Sequence, residues 1–125
     1  MPASDLSDIR NTLIQILKAH TPPLQVRVDT DAVFEVAGTK PTMQGKQKVD
    51  GIYFASVVPK PGDIRLYFFP NYTHPAAFSG MSDALKKCLK GKSCFHIKKL
   101  DPALEAEIKN MVATGVAAYQ TDGLI

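Results

Sequence analysis

A chain of 125 residues with 45% hydrophobic and 22% charged residues is typical of one soluble globular domain and is too apolar for a disordered protein. Its start lacks the basic residues and the apolar run of a signal peptide, and no apolar segment approaches the roughly 20 residues of a membrane span. We therefore expect a single domain over residues 1–125, a cytoplasmic location and no membrane partner.

The net charge of +3 conceals an uneven distribution along the chain. Residues 1–36 carry 3 basic and 5 acidic side chains, residues 37–100 carry 11 and 3, and residues 101–125 carry 1 and 4. A basic middle part between acidic ends reflects either charge pairing inside the fold or a positive face that attracts anions.

The first part of the chain predicts one helix followed by a hairpin. Apolar residues recur at helical spacing between Leu6 and His20, with Ser4 or Ser7 as the N-cap and Pro22-Pro23 as the stop. Residues 24–28 and 32–37 are strand-like on either side of a turn cluster, which predicts a β-hairpin. The polar residues 38–51 predict a loop or a ragged edge strand.

The strongest strand signals lie in the middle of the chain. Residues 52–58 and 64–69 are rich in β-branched and aromatic side chains and predict a central antiparallel hairpin with its turn over residues 59–63. Alternation along the second strand separates two faces: Ile64, Leu66 and Phe68 on one, and Arg65, Tyr67 and Phe69 on the other. The face that helices leave uncovered needs a loop, a ligand or another subunit, because it too is largely apolar.

The last third predicts a short helix, a strand and a long helix. Residues 76–78 form a helical turn, Ser82 caps a helix over residues 83–90 that ends at Gly91, and residues 93–98 form a strand. Asp101 then caps a terminal helix that begins at Pro102. The predicted fold class is α+β: an antiparallel sheet of about five strands with N-terminal, short middle and C-terminal helices packed on it.

No spacing in the chain specifies a reaction, so we predict no catalytic residue. Gly91-Lys92-Ser93 matches the end of a phosphate-binding loop, but Lys86 occupies the place of the required first glycine. Five residues separate Cys88 from Cys94, which is not the paired spacing of zinc sites, and we therefore expect neither a metal nor a cofactor. A cysteine-dependent enzyme is a further interpretation, and it requires a depressed pKa for Cys94.

Aromatic and basic residues alternate in the middle of the chain in a way that matches single-stranded nucleic-acid surfaces in composition only. True surfaces of this kind expose their rings, and buried core positions are the default interpretation, so nucleic acid is not an expected partner. The residues concerned are Lys60, Arg65, Tyr67, Phe69 and Tyr72.

The candidate ligand-binding residues lie on the predicted strands over residues 64–69 and 93–98 or directly before the second of them. They are Arg65, Tyr67, Lys92, Cys94, His96 and Lys98. We interpret the protein as a non-enzymatic binding module whose sheet face or basic edge, over residues 86–99, receives a small anionic ligand or a protein partner. A homodimer is left open.

Three segments carry a resemblance to a known family: KGKSCFHIKKLD, the strand DGIYFASV and the aromatic strand ending YFFP. With Gly91, Phe95, Lys98 and Leu100 at its centre, the chain resembles the YdhG-like family, domain-of-unknown-function family 1801, over about residues 34–120. The resemblance implies an α+β fold and a small bacterial cytosolic protein. Some members are described as frataxin-like iron chaperones, so iron or metal delivery is the alternative function.

Overall fold

The computed structural model describes residues 6–21, 23–44, 46–91 and 93–125. Four helices, one 3₁₀ turn and eight strands follow one another in this described part of the chain. Their order is α1 (Leu6–Lys18), β1 (Gln25–Asp29), β2 (Phe34–Ala37), β3 (Thr42–Gln44), β4 (Gln47–Val49), β5 (Tyr53–Lys60), β6 (Asp63–Phe68), α2 (Pro70–Thr73), a 3₁₀ turn (Pro75–Phe78), α3 (Asp83–Cys88), β7 (Leu89–Lys90), β8 (Cys94–Ile97) and α4 (Pro102–Thr121).

Six of these strands form one antiparallel sheet in the order β1-β2-β5-β6-β8-β7, and β3 pairs with β4 in a separate hairpin. The α+β prediction is confirmed, with N-terminal, middle and C-terminal helices beside the sheet. Residues 38–51, predicted as a loop or ragged strand, contain the β3–β4 hairpin. The hairpin β5–β6 lies at the centre of the sheet, as its β-branched and aromatic composition predicts.

The helices cover one face of the sheet, which we call the inner face. Leu66 and Phe68 of β6 and Phe95 of β8 are almost completely buried there. The amphipathic stripe of α1 and the buried stripe of α4 supply the other side of this core. The buried helix residues are Ile9, Leu13, Ile14, Ile16 and Leu17 in α1, and Leu104, Ile108, Met111, Val112, Gly115, Val116 and Tyr119 in α4.

Two of the predicted helix caps are confirmed. The hydroxyl of Ser82 accepts a hydrogen bond from the Leu85 amide at 3.2 Å, and the carboxylate of Asp101 accepts one from the Leu104 amide at 2.7 Å. Ser7 lies inside α1 and is not its N-cap. Ser4, the other predicted N-cap, and Pro22, part of the predicted helix stop, lie outside the described residues.

The short middle helix ends earlier than its composition predicts. α3 stops at Cys88, and Leu89 is extended, with φ −73° and ψ 123°, because it pairs with Phe95 of β8. Gly91, predicted to end the helix, has φ 74° and lies instead in the turn that joins β7 to β8. Lys90 is therefore an edge-strand residue opposite Cys94 and does not belong to a helix face.

The central turn is also tighter than predicted. β5 continues through Pro59 to Lys60, and Gly62, with φ 95°, allows a two-residue connection to β6. A proline is tolerated at this point of a central strand because β2 pairs with β5 only as far as Val57, so no neighbour on that side needs the missing N–H. Within the described ranges, no helix has the length and apolar character that crossing a bilayer demands.

Candidate functional site

The second face of the sheet, which we call the outer face, carries a mixed polar and aromatic surface. Its cross-strand neighbours follow from the register: Glu35 opposite Ser56, Ser56 opposite Tyr67, Tyr67 opposite Cys94, Val58 opposite Arg65, Arg65 opposite His96, and Lys90 opposite Cys94. Directly opposed residues share one face of an antiparallel sheet and can contact each other. The tyrosine, the arginine and the β8 residues of this set are half-buried, so water or a ligand can reach them.

Asp63 is the charged centre of this surface. It is buried, at 7% exposure, and its carboxylate lies 3.3 Å from Arg65 Nε and 3.7 Å from His96 Nδ1. A carboxylate removed from water needs such partners, because an unpaired charge at this depth is costly. Asp63 is therefore an anionic partner for both the guanidinium of Arg65 and the imidazole of His96.

Cys94 lies beside Tyr67 and Arg65 on the same face. Burial raises the pKa of the Cys94 thiol, although a hydrogen bond from Tyr67 and the charge of Arg65 act to lower it. Burial likewise raises the pKa of the Cys88 thiol, against the smaller influence of Lys90. A nucleophilic cysteine needs the opposite shift, so the arrangement does not favour the cysteine-dependent enzyme.

A cleft of about 460 Å³ opens where the outer face meets α3 and the edge strand β7. Four lysines and one histidine line it together with a single carboxylate. Its lining residues are Asp63, Lys87, Cys88, Lys90, His96, Lys98 and Lys99. Because that carboxylate already contacts Arg65 and His96, the cleft carries a net positive charge.

The structure brings most of the predicted site residues together in two adjacent groups. Arg65 and Tyr67 of β6 share the outer face with Cys94, which lies opposite Tyr67 on β8, while His96 and Lys98 line the cleft. Lys92 lies outside the described residues.

The six candidate residues leave out five of the residues that line the cleft, although four of these five lie in the predicted basic edge over residues 86–99. Lys87, Cys88 and Lys90 were left out because residues 83–90 were interpreted as one helix, whereas the chain turns into β7 after Cys88. The signal that could have found them is Gly91, which suits a hairpin turn as well as a helix end. Lys99 belongs to the predicted basic edge, next to the candidate Lys98, whereas Asp63, at the start of β6, has no distinguishing local pattern.

A row of three aromatic rings, which we call the aromatic ladder, continues the outer face beyond the end of β6. The ring of Phe69 lies 5.6 Å from that of Tyr53 and 5.6 Å from that of Tyr72, and the Phe69–Tyr72 planes differ by only 28°. The Tyr53 hydroxyl hydrogen-bonds to Ser56 on the outer face. Tyr72, the last ring of the ladder, is 52% exposed.

These positions overturn the buried-core interpretation of the alternating aromatic and basic residues. Lys60 and Tyr72 are exposed, and Arg65, Tyr67 and Phe69 are half-buried, so none belongs to the fully buried core. Pairing with β5 on one side and β8 on the other directs alternate β6 side chains away from the helices.

A second polar cluster joins α2 to the end of α4. Nε2 of His74 contacts the carboxylate of Asp122, and Nδ1 of the same ring lies 2.7 Å from the Thr73 hydroxyl. The His74 ring also packs near Tyr119, at 5.6 Å between centroids. Since Asp122 is the C-cap residue of α4, the cluster anchors the end of that helix.

A larger cleft of about 600 Å³ lies between α1 and α4, but its charges cancel. Its acidic and basic residues, Glu105 and Lys109, form an ion pair at 3.1 Å, and amide and hydroxyl side chains supply most of the remaining polar lining. Such a lining selects no particular ligand class, so volume alone does not make it the better candidate.

A metal site receives no support from the side-chain arrangement. Across residues 6–21, 23–44, 46–91 and 93–125, no three or more His, Cys, Asp and Glu side chains are grouped so that they could hold a metal ion. Comparison with known proteins adds no further assignment, since no protein-family model, curated protein or solved structure matches the chain.

Proposed function

We propose that the protein is a non-enzymatic binding module that holds a small anionic ligand in the lysine-lined cleft between the outer face, α3 and β7. The observation that carries this proposal is the convergence of Lys87, Lys90, Lys98 and Lys99 on one cleft of about 460 Å³. Ligand pockets for small molecules commonly have volumes of about 300–1,000 Å³. The cleft therefore has the size and the charge for a phosphate-bearing compound.

The charge of the cleft is not neutralised by the chain itself. Among the described residues, none of these four lysines forms an ion pair, whereas Lys109 of α4 does. Lys87 belongs to α3, Lys90 belongs to the edge strand β7, and Lys98 and Lys99 follow directly after β8, so three separate parts of the chain supply the lysines. Mutual repulsion of their ammonium groups is relieved when an anion binds between them.

The polar groups at the base of the cleft add direction to this attraction. His96 lines the cleft with its Nδ1 3.7 Å from the carboxylate of Asp63, and its imidazole adds a hydrogen-bonding group to the lysines. A phosphate oxygen bound by lysine ammonium groups and one imidazole is a charge-assisted arrangement of the kind that binds anions strongly.

Membership of the YdhG-like family is part of the same proposal, and it would make the chain a small bacterial cytosolic protein. Iron delivery, the alternative that this resemblance brings, would need carboxylates or soft ligands to converge. The lysine-lined cleft instead repels cations, which is why we place anion binding first.

Titration with pyrophosphate, followed through the backbone amide signals by NMR, tests the proposal. We expect shifts concentrated at residues 87–90 and 94–99, and about five- to tenfold weaker binding in Lys90→Ala and in Lys98→Ala, as loss of one charge-assisted contact implies. Lys109→Ala, an equally conservative loss of charge on α4, should bind like the wild type.

Two results would contradict anion binding in the cleft. The first is the absence of shifts at millimolar pyrophosphate, and the second is a shift pattern centred on the α1–α4 cleft. A parallel titration with ferrous iron by calorimetry addresses the alternative, because binding heat that is lost in His96→Ala would favour metal handling.

A further inference from the structure

His96 combines a close carboxylate with a place in the lysine-lined cleft. Its Nδ1 is 3.7 Å from the carboxylate of Asp63, and 23% of its side chain is exposed, so a ligand in the cleft can approach the ring. We infer that binding of an anion in the cleft is coupled to protonation of His96, so that the affinity for the anion rises as the pH falls from about 8 to about 5.5. This inference rests on the proposed function, which it extends to the regulation of the same site.

Charged and titratable side chains surround His96 on every neighbouring element. The carboxylate of Asp63 favours a protonated imidazole, whereas the lysines that line the cleft with it oppose one. Arg65 is directly opposite His96 on β6, and Lys60 of β5 is opposite Asp63. The other groups of this kind among the described residues are Tyr67 of β6, Lys87 and Cys88 of α3, Lys90 of β7, Cys94 of β8, and Lys98 and Lys99 directly after β8. A further negative charge in the cleft therefore acts in the same direction as Asp63, in favour of the imidazolium.

A bound anion supplies that negative charge. An opposite charge within about 4–6 Å stabilises the charged form of a titratable group, so the occupied cleft binds the His96 proton more tightly than the empty cleft does. Because coupling between two bound species is reciprocal, the proton strengthens anion binding by the same factor. The affinity is therefore highest at low pH, where the ring is protonated in both states, and lowest at high pH, where the ring is neutral in both.

The other side chains of the cleft do not supply this pH dependence. Histidine is the side chain whose ordinary change of charge falls between pH 5 and 8, and His96 is the one histidine among the described residues that line the cleft. Burial raises the pKa of the Cys88 and Cys94 thiols, which moves their ionisation further above this range. His20 lines the α1–α4 cleft, and His74 contacts the C-cap residue of α4. A pH-dependent affinity that is lost with His96 therefore reports on this ring.

Calorimetric titration with pyrophosphate at about pH 8 and at about pH 5.5, in the wild type and in His96→Gln, tests the inference. Pyrophosphate changes its own protonation over this range, but that contribution is common to both proteins and cancels in the ratio of their affinities. We expect a ratio near one at the higher pH and a ratio of about ten, in favour of the wild type, at the lower pH, since a nearby opposite charge changes proton affinity at least about tenfold.

Matched variants and a second anion separate the charge of the ring from its structural role. His20→Gln, in the α1–α4 cleft, should keep the wild-type pH dependence. His96→Lys carries a charge that does not titrate in this range, so it should bind pyrophosphate more tightly than His96→Gln at both pH values. The wild type should also bind cyclic trimetaphosphate, whose charges do not titrate here, about tenfold more tightly at the lower pH.

The failures of the two proposals are distinguishable. If pyrophosphate shifts the cleft amides but the ratio of wild-type to His96→Gln affinity is the same at both pH values, the proton coupling is absent and the anion site stands. An affinity for trimetaphosphate that does not change with pH leads to the same conclusion. If pyrophosphate shifts no cleft amide at either pH, the proposed function is wrong and the inference fails with it.

Discussion

Replacing Gly115 by alanine tests how closely α4 approaches the end of β6, where the aromatic ladder begins. Gly115 is buried in the interior of α4. A Cβ added there would lie 2.7 Å from Cζ of Phe68, and 3.1 Å and 3.2 Å from Cγ and Cβ of Pro70. These distances are well below ordinary van der Waals contact, so a neighbour must move to admit even one methyl group.

Neither neighbour can move easily. Phe68 is completely buried and packs edge-to-face against Phe54 and Phe78, with ring centroids 5.5 Å and 5.3 Å away. Pro70 has a rigid ring at the start of α2. The methyl group therefore displaces a packed ring system and not a flexible side chain.

Two opposing effects determine how much Gly115→Ala changes the free energy of unfolding. Alanine is favoured over glycine by about 1 kcal/mol inside a helix, whereas overpacking a well-filled core costs about 1–3 kcal/mol. We expect Gly115→Ala to lower the free energy of unfolding by about 1 kcal/mol net. For a chain of 125 residues, that difference lowers the melting temperature by about 4 °C.

Urea unfolding followed by far-UV circular dichroism measures the effect, with two controls that isolate each contribution. Ala117→Gly, at an exposed position of the same helix, should cost about 1 kcal/mol through propensity alone. Gly80→Ala places its methyl group where no atom lies within 4 Å, and it should be neutral or slightly stabilising. If Gly115→Ala instead raises the free energy of unfolding by the amount that Ala117→Gly lowers it, α4 does not contact β6 and α2 as closely as described.

Two further predictions concern titratable groups on the outer face and in the cleft. Burial raises the pKa of Tyr53 from 10.0 to about 12, so the folded state keeps a proton that the unfolded state loses. The free energy of unfolding should thus be unaffected by this group below about pH 10 and should fall as the pH rises towards 12. Tyr53→Phe should flatten this alkaline decline in urea titrations relative to the Tyr72→Phe control, and an unchanged slope would contradict the assignment. The raised pKa values of the Cys88 and Cys94 thiols predict that each reacts with iodoacetamide near neutral pH more slowly than free glutathione does. Each of the variants Cys88→Ser and Cys94→Ser retains one of these two thiols, and we expect the slower rate in both. A rate above that of glutathione in either variant would instead support a reactive cysteine.

Local composition was enough to predict most elements and their faces. The caps at Ser82 and Asp101, the central hairpin and the alternation along β6 depend on residues close to one another in the chain, and each is present in the structure. Such features are readable because turn chemistry, capping and side-chain period act over a few residues.

The end of α3 shows where that reasoning fails. Residues 83–90 have helix-forming composition, yet Leu89 and Lys90 join the sheet because β8 offers an edge with which they can pair. The gain from completing that edge outweighs a weak local helix preference, and no short window contains both partners and their alternatives.

The candidate site depends still more on distant contacts. The cleft combines Asp63 from β6 with Lys87 from α3 and Lys98 after β8, and the aromatic ladder joins Tyr53 to Phe69 and Tyr72. The sequence by itself determined the α+β class, the strand faces and the presence of a basic middle part. Only the tertiary structure decided which lysines converge and which rings remain exposed, because strand order and the packing of α3 against the sheet edge set those positions.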